Sequence, residues 1–126
     1  MRFMYIIHSE SDAPPTPELM QAMHAMAERE VKAGRMIADG GLLPPPVCAE
    51  VRLKSGRLVV TDGPFTESKE VIGGFAIFEL PDMAAAIQSA EAFLDLHRRH
   101  APDWEGRCEI RQLGGSQVEL IRGGGG

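Results

Sequence analysis

Four histidines, His8, His24, His97 and His100, are the residues of this 126-residue chain best suited to moving protons near neutral pH. His24 follows Met20 by four and precedes Ala27 by three and Val31 by seven. That spacing sets it near the border of an apolar helix face, where an imidazole meets a sheet-lined pocket. Two readings stay open: a general base oriented by a carboxylate, or a half-buried helix histidine bonded to water or backbone. Asp39, at a Gly-rich strand end, is the best carboxylate partner available; alternatively it is a turn-forming Asp before Gly40-Gly41. Asp62, in Thr61-Asp62-Gly63-Pro64-Phe65, is either a carboxylate at a pocket mouth with Thr61 beside it or the Asx acceptor of a tight turn. His97 and His100 stand three apart at a helix end, a chelating spacing, but no third ligand accompanies them. They are read as part of a cationic helix end, and no metal is expected. His8 closes the first strand, either beside other site residues or solvated. Glu109 and Arg111 alternate on one face of the last strand. If that face is enclosed they are a buried acid and base able to orient an anionic ligand, and otherwise an exposed pair of little energetic weight.

Several function classes are set aside by composition and motif. Thirteen Lys plus Arg against eighteen Asp plus Glu give a net charge of −5, so there is no broad basic footprint for a nucleic-acid backbone. No run of about 18 apolar residues occurs, and the N-terminal segment turns polar at His8, which predicts a cytoplasmic protein with no membrane partner. Cys48 and Cys108 have no C-x-x-C spacing and are expected to pack as small strand residues. The phosphate-cradling glycine motifs and the Gly-x-Ser-x-Gly elbow are absent, and no cofactor is expected. Ten of the thirteen basic residues are Arg, which makes a small organic acid one reasonable ligand class.

The elements that must position these groups follow from hydrophobic periodicity. Residues 2–8 are apolar on both alternating sets, as in a strand covered on both sides. Thr16 and Pro17 start a helix that runs to about Ala33, with Leu19, Met20, Met23, Met26, Ala27 and Val31 on one face and Gly34 as its stop. Met36 to Leu43 reads as a short strand, ended by Pro44-Pro45-Pro46. Val47–Lys54 and Arg57–Thr61 alternate around Ser55-Gly56 as an inserted β-hairpin. Gly74 to Leu80 is again apolar on both faces. A helix capped by Asp82, with Met83, Ile87, Ala90 and Leu94 inward, ends at Pro102, and Arg107–Leu113 is the last strand. Residues 1–115 thus form one α+β domain, with 116–126 a flexible glycine-rich tail. Apart from the hairpin the order is β-α-β-β-α-β, a ferredoxin-like layout. Two helices cover one sheet face, yet the strands at 3–7 and 74–80 are apolar on both, so a second copy of the chain is expected on the other.

The segment Val60-Thr61-Asp62-Gly63-Pro64-Phe65-Thr66-Glu67-Ser68-Lys69-Glu70, followed by Gly73-Gly74-Phe75, resembles the DGPF signature of the YCII-related family. The likeness extends to Pro17-Glu18-Leu19-Met20 at the helix start and to Trp104-Glu105-Gly106-Arg107-Cys108-Glu109-Ile110-Arg111 at the last strand. His97-Arg98-Arg99-His100 looks like the subgroup often encoded beside extracytoplasmic-function sigma factors. The resemblance implies a dimeric α+β barrel and, by analogy with some YCII-like proteins, a cofactor-free lyase or isomerase using a His-Asp pair in a cleft between helix and sheet. His24, followed by Gly34-Arg35-Met36-Ile37 with Asp39 beyond, matches the place of that pair. A hydroxylated ring is then the second ligand class, and Asp62, Thr61, His8, Glu109 and Arg111 are the remaining site candidates. The alternative is a non-enzymatic, dimeric ligand-sensing or regulatory partner linked to a sigma factor.

Overall fold

The structure, a computed structural model, describes residues 1–10, 14–43, 49–62 and 71–123. The elements are β1 (Arg2–Ser9), α1 (Pro17–Lys32), β2 (Met36–Gly41), β3 (Ala49–Lys54), β4 (Arg57–Asp62), β5 (Val71–Glu79), α2 (Met83–His100), β6 (Gly106–Gln112) and α3 (Gln117–Arg122). Four strands make one antiparallel sheet in the order β2-β5-β1-β6, an α+β arrangement compatible with the ferredoxin-like layout. The two strands whose alternating positions are both apolar, β1 and β5, take the two central places. β3 and β4 pair with each other as a separate two-stranded sheet around Ser55-Gly56.

Pairing register divides the large sheet into two chemically different faces. Phe3, Tyr5 and Ile7 of β1 stand opposite Phe78, Ala76 and Gly74 of β5, and Tyr5 and Ile7 stand opposite Ile110 and Cys108 of β6. This set faces the helices. Met4, Ile6 and His8 alternate to the other side, in register with Arg111, Glu109 and Arg107 of β6, and Met4 and Ile6 with Ile77 and Phe75 of β5.

The helix-side core joins β1 and β5 to α2: Phe3, Tyr5, Phe78, Leu80, Ala86 and Ala90 form one buried cluster, to which α1 contributes nothing. Tyr5 stacks on Phe78 with ring centroids 4.8 Å apart and donates its hydroxyl to the Ala86 carbonyl at 2.8 Å. That bond draws α2 close to the sheet, and closeness selects small residues there. Near that bond the buried residues of α2 are Ala86 and Ala90, with Leu96 and His97 buried further along, and Met83 and Ile87, expected inside, are exposed.

Helix α1 is capped as its sequence suggests. The Thr16 hydroxyl accepts from Leu19 N at 3.1 Å and donates to the His100 carbonyl at 3.0 Å, which fastens the start of α1 to the end of α2. Gly34 ends the helix at φ +76°, a value that favours glycine, with its N–H on the Val31 carbonyl. Leu19 is the single buried residue of α1, and Met20 and Val31, expected inside, are exposed. Residues 117–122, expected within a loose tail, form α3, capped by Ser116 accepting from Glu119 N at 3.2 Å. Among the described residues no helix is long and apolar enough to cross a membrane.

Candidate functional site

Because α1 shares little of the core, a cleft of about 920 Å3 opens between it, α2 and the helix-facing side of the sheet. Its volume lies in the range of small-molecule sites. Tyr5, Ile7 and Phe78 form the sheet wall, Met23 and Met26 the α1 wall, and Phe93 and Trp104 the far end. The ionisable groups reaching it besides Tyr5 are His24 and Glu30 from α1, Asp39 from β2, His97 and His100 from α2, and Asp103 beyond it, with the hydroxyls of Ser9, Thr16 and Ser89 also in its lining. Among the described residues that line it there is no arginine or lysine.

His24 and Asp39 both line this cleft, on its helix and sheet sides respectively. The carboxylate beside His24 is nevertheless Glu28, one helical turn on, with Nε2 and Oε2 3.7 Å apart. The His24 side chain is 82% exposed, which puts it on the rim. Asp39 faces the helices in register with Ala76. Glu30, which sequence reasoning passed over, lines the cleft while its carboxylate pairs with Arg35.

The other site candidates stand elsewhere. His8, Glu109 and Arg111 occupy the opposite face of the sheet. There His8 Nε2 donates to Glu109 Oε1 at 3.0 Å, and Arg111 reaches Oε2 at 3.3 Å. The Glu109 carboxyl is held below its ordinary range, first by the His8 hydrogen bond and then by the neighbouring Arg111 and Arg107. Thr61 is exposed on β4 opposite Glu50, and Asp62 ends that strand opposite Ala49. The Gly63-Pro64-Phe65 part of the signature lies outside the described residues.

His97 departs from the expected cationic helix end. Arg98 and Arg99 do point outward, where both pair with Asp95. His97 turns inward and is 6% exposed, with its ring 4.4 Å from that of Trp104 and 4.8 Å from that of Phe93, centroid to centroid. Burial lowers its pKa, partly offset by the hydrogen bond between Nδ1 and the Phe93 carbonyl at 3.1 Å. The signal was its spacing: His97 follows Ala90 by seven, two turns along the same face. Among the described residues no group of three potential ligands gathers around a metal position.

The YCII-related domain model matches residues 1–93, about three quarters of the chain. An uncharacterised protein of Rhizobium meliloti (strain 1021) is 31% identical over 95 residues, spanning 75% of this chain and 73% of that protein. The chain belongs to the YCII-related family. The matched span carries β1, α1, β2, β5 and the first part of α2, and with them His24 and Asp39. It stops at Phe93, so the far end of the cleft, made by His97, His100 and Trp104, lies beyond the part of this YCII-related chain that the family description covers.

Proposed function

We propose that this YCII-related chain is a cytoplasmic homodimer that holds a small, neutral, hydroxylated ring in the helix–sheet cleft. Its activity in this reading is cofactor-free proton transfer of the lyase or isomerase type. The observation that carries the reading is the cleft itself: apolar walls, a few imidazoles and carboxylates, and no cationic lining residue among those described. A small organic acid, the class suggested by arginine content, would meet Asp39 and Asp103 there with no positive partner. His24 on the rim is the base in this scheme, and Asp39 on the sheet side is the carboxylate that orients it.

The dimer rests on the other face of the sheet. Met4, Ile6, Phe75 and Ile77 make an apolar strip on the sheet face turned away from the Tyr5–Phe78 core, and a second copy packed sheet to sheet would close a dimeric α+β barrel. His8, Glu109 and Arg111 would then flank the interface. A second reading, a ligand-sensing or sigma-factor-linked regulatory partner, is favoured by the β3–β4 pair. Val51, Leu53, Leu58 and Val60 share one face of it and are all exposed.

Thermal melts at pH 7.5 with hydroxylated rings and with their carboxylated counterparts test the ligand class. The hydroxylated rings should raise the melting temperature and the carboxylates should not; the reverse order overturns the reading. Turnover of any ring that binds should vanish in His24→Ala while light scattering still reports a dimer. Turnover that survives in His24→Ala removes the base, and binding without turnover passes the case to the regulatory reading.

A further inference from the structure

One buried polar group of the cleft is left unused by the proposed chemistry. His97 is more than nine-tenths buried, lines the cleft, and is held between the rings of Phe93 and Trp104. Its Nδ1 lies 3.1 Å from the Phe93 carbonyl oxygen. A carbonyl only accepts, so Nδ1 must carry the hydrogen, and in the neutral ring Nε2 is then a bare lone pair. No group of the chain donates to that lone pair among the described residues. Yet no fully buried side-chain nitrogen or oxygen among the described residues is without a partner. Nε2 therefore keeps an opening, and the space beside His97 is the cleft.

We propose that Nε2 of His97 is the hydrogen-bond acceptor that selects the cleft's ligand, taking the hydroxyl or N–H of a flat apolar ring whose body lies along Phe93 and Trp104. The inference rests on the reading of the cleft as a ligand site, and deepens it. Three features converge on this chemistry. The tautomer is fixed by backbone, so acceptance at Nε2 is preorganised and does not have to be organised at binding. The imidazole stays neutral, because burial favours its uncharged form. The flanking rings offer stacking surfaces for an aromatic body. A phenol satisfies all three, and its methyl ether, which has the same body and no donor, fails at the lone pair. An unsatisfied buried acceptor is what makes a site reject the analogue lacking the hydroxyl.

The experiment uses the full chain at pH 8 with 2-naphthol and 2-methoxynaphthalene as probes. Binding is read through the emission of Trp104, the one tryptophan of the sequence and a wall of the cleft. The wild-type chain should bind 2-naphthol about five- to tenfold more tightly than 2-methoxynaphthalene, as one neutral hydrogen bond provides. His97→Phe should bind the two equally, with the affinity for 2-methoxynaphthalene retained. Equal affinities in the wild-type chain overturn the acceptor role alone, since binding of the ether still reports a ring site. Failure of both probes to affect Trp104 overturns the ring site and the acceptor together. If His97→Phe does not fold, imidazole nitrogen NMR of the wild-type chain decides. His97 should show a protonated Nδ1 and an unprotonated Nε2 whose resonance moves with 2-naphthol and not with 2-methoxynaphthalene. A proton found on Nε2 instead overturns the proposal.

Discussion

A methyl group added at Gly106 should loosen the far wall of the cleft, by an amount that the atoms nearest to it set. Gly106 opens β6 opposite Ser9, and a Cβ there would lie 2.3 Å from the His8 carbonyl oxygen and 2.5 Å from Cζ2 and Cη2 of Trp104. An ordinary contact needs about 3.4 Å, so Gly106→Ala must create roughly 1 Å of room. The indole can swing, but the carbonyl belongs to a central strand and moves only with the sheet. Overpacking of this kind costs about 1–3 kcal/mol. For a chain of 126 residues, whose unfolding entropy is about 0.26 kcal/mol/K, that is a fall of about 4–11 °C in melting temperature. Circular dichroism melts measure the fall, and Trp104 emission measures where the strain goes, because a displaced indole leaves His97 for water. Gly115→Ala is the control, since nothing lies within 4 Å of its added Cβ. If Gly106→Ala melts within about 1 °C of the parent and Trp104 emits unchanged, the close packing of Trp104 on β6, and the shape of the cleft with it, is wrong.

Three further outcomes are expected. Protonated imidazole quenches a neighbouring indole, so Trp104 emission should stay level as pH falls through 6.5 and drop only below it, and His97→Phe should abolish the drop. The sign for stability agrees: with the folded pKa of His97 lowered, its contribution is complete above about pH 6.5 and is lost as pH falls from there through the folded value, so a quenching midpoint at or above 6.5 would contradict the burial. Burial pushes the Cys108 thiol up to about 11, so at pH 8 its iodoacetamide alkylation, followed by peptide mass spectrometry, should run about two orders of magnitude slower than that of a free thiol; equal rates would mean an accessible sulfur. Ile6→Glu places a second carboxylate beside Glu109 on the apolar strip, so light scattering should show the proposed dimer converted to monomer at micromolar concentration; a dimer mass unchanged by the substitution would move the interface elsewhere.

What the sequence disclosed and what it hid follow from the range of the interactions involved. The double-sided apolar runs of β1 and β5 announce central strands because alternation is local, and Thr16-Pro17 and Gly34 mark the ends of α1 for the same reason. Helical spacing placed Ala90 of α2 inward, as it is, but it also placed Met83 and Ile87 there, and both are exposed. The Tyr5 hydroxyl on the Ala86 carbonyl brings helix and sheet too near for Met83 or Ile87, and that bond spans 81 residues. His97 was concealed by its neighbours, since a run of four basic residues reads as one solvated patch although consecutive residues lie about 100° apart around the axis. The helix at 117–122 had a legible signal, Ser116 with Glu119 three residues on, and the surrounding glycines masked it. His24 and Asp39, paired by their places in the sequence, both line the cleft. That the structure gives His24 to Glu28 depends on how far α1 stands from the sheet, which no local pattern encodes.

The sheet itself separates two kinds of chemistry that composition had merged. Alternation along β6 sends Cys108 and Ile110 toward the helices and Arg107, Glu109 and Arg111 to the open face. The arginine content that suggested an anionic ligand is therefore spent, on this strand, away from the cleft, where Glu109 gathers His8 and both arginines around one carboxylate. With His8 neutral, one carboxylate against two guanidiniums leaves the cluster a net positive charge, and each of its charges has an opposite partner within reach. The helix face has the opposite need. Its carboxylates at Asp39 and Asp103 and its neutral His97 leave an anion no partner, whereas a hydroxyl finds an acceptor ready. In the proposed reading, discrimination in the cleft is set by which ligand can donate one hydrogen bond, and the charge on the opposite face bears on how two chains would meet.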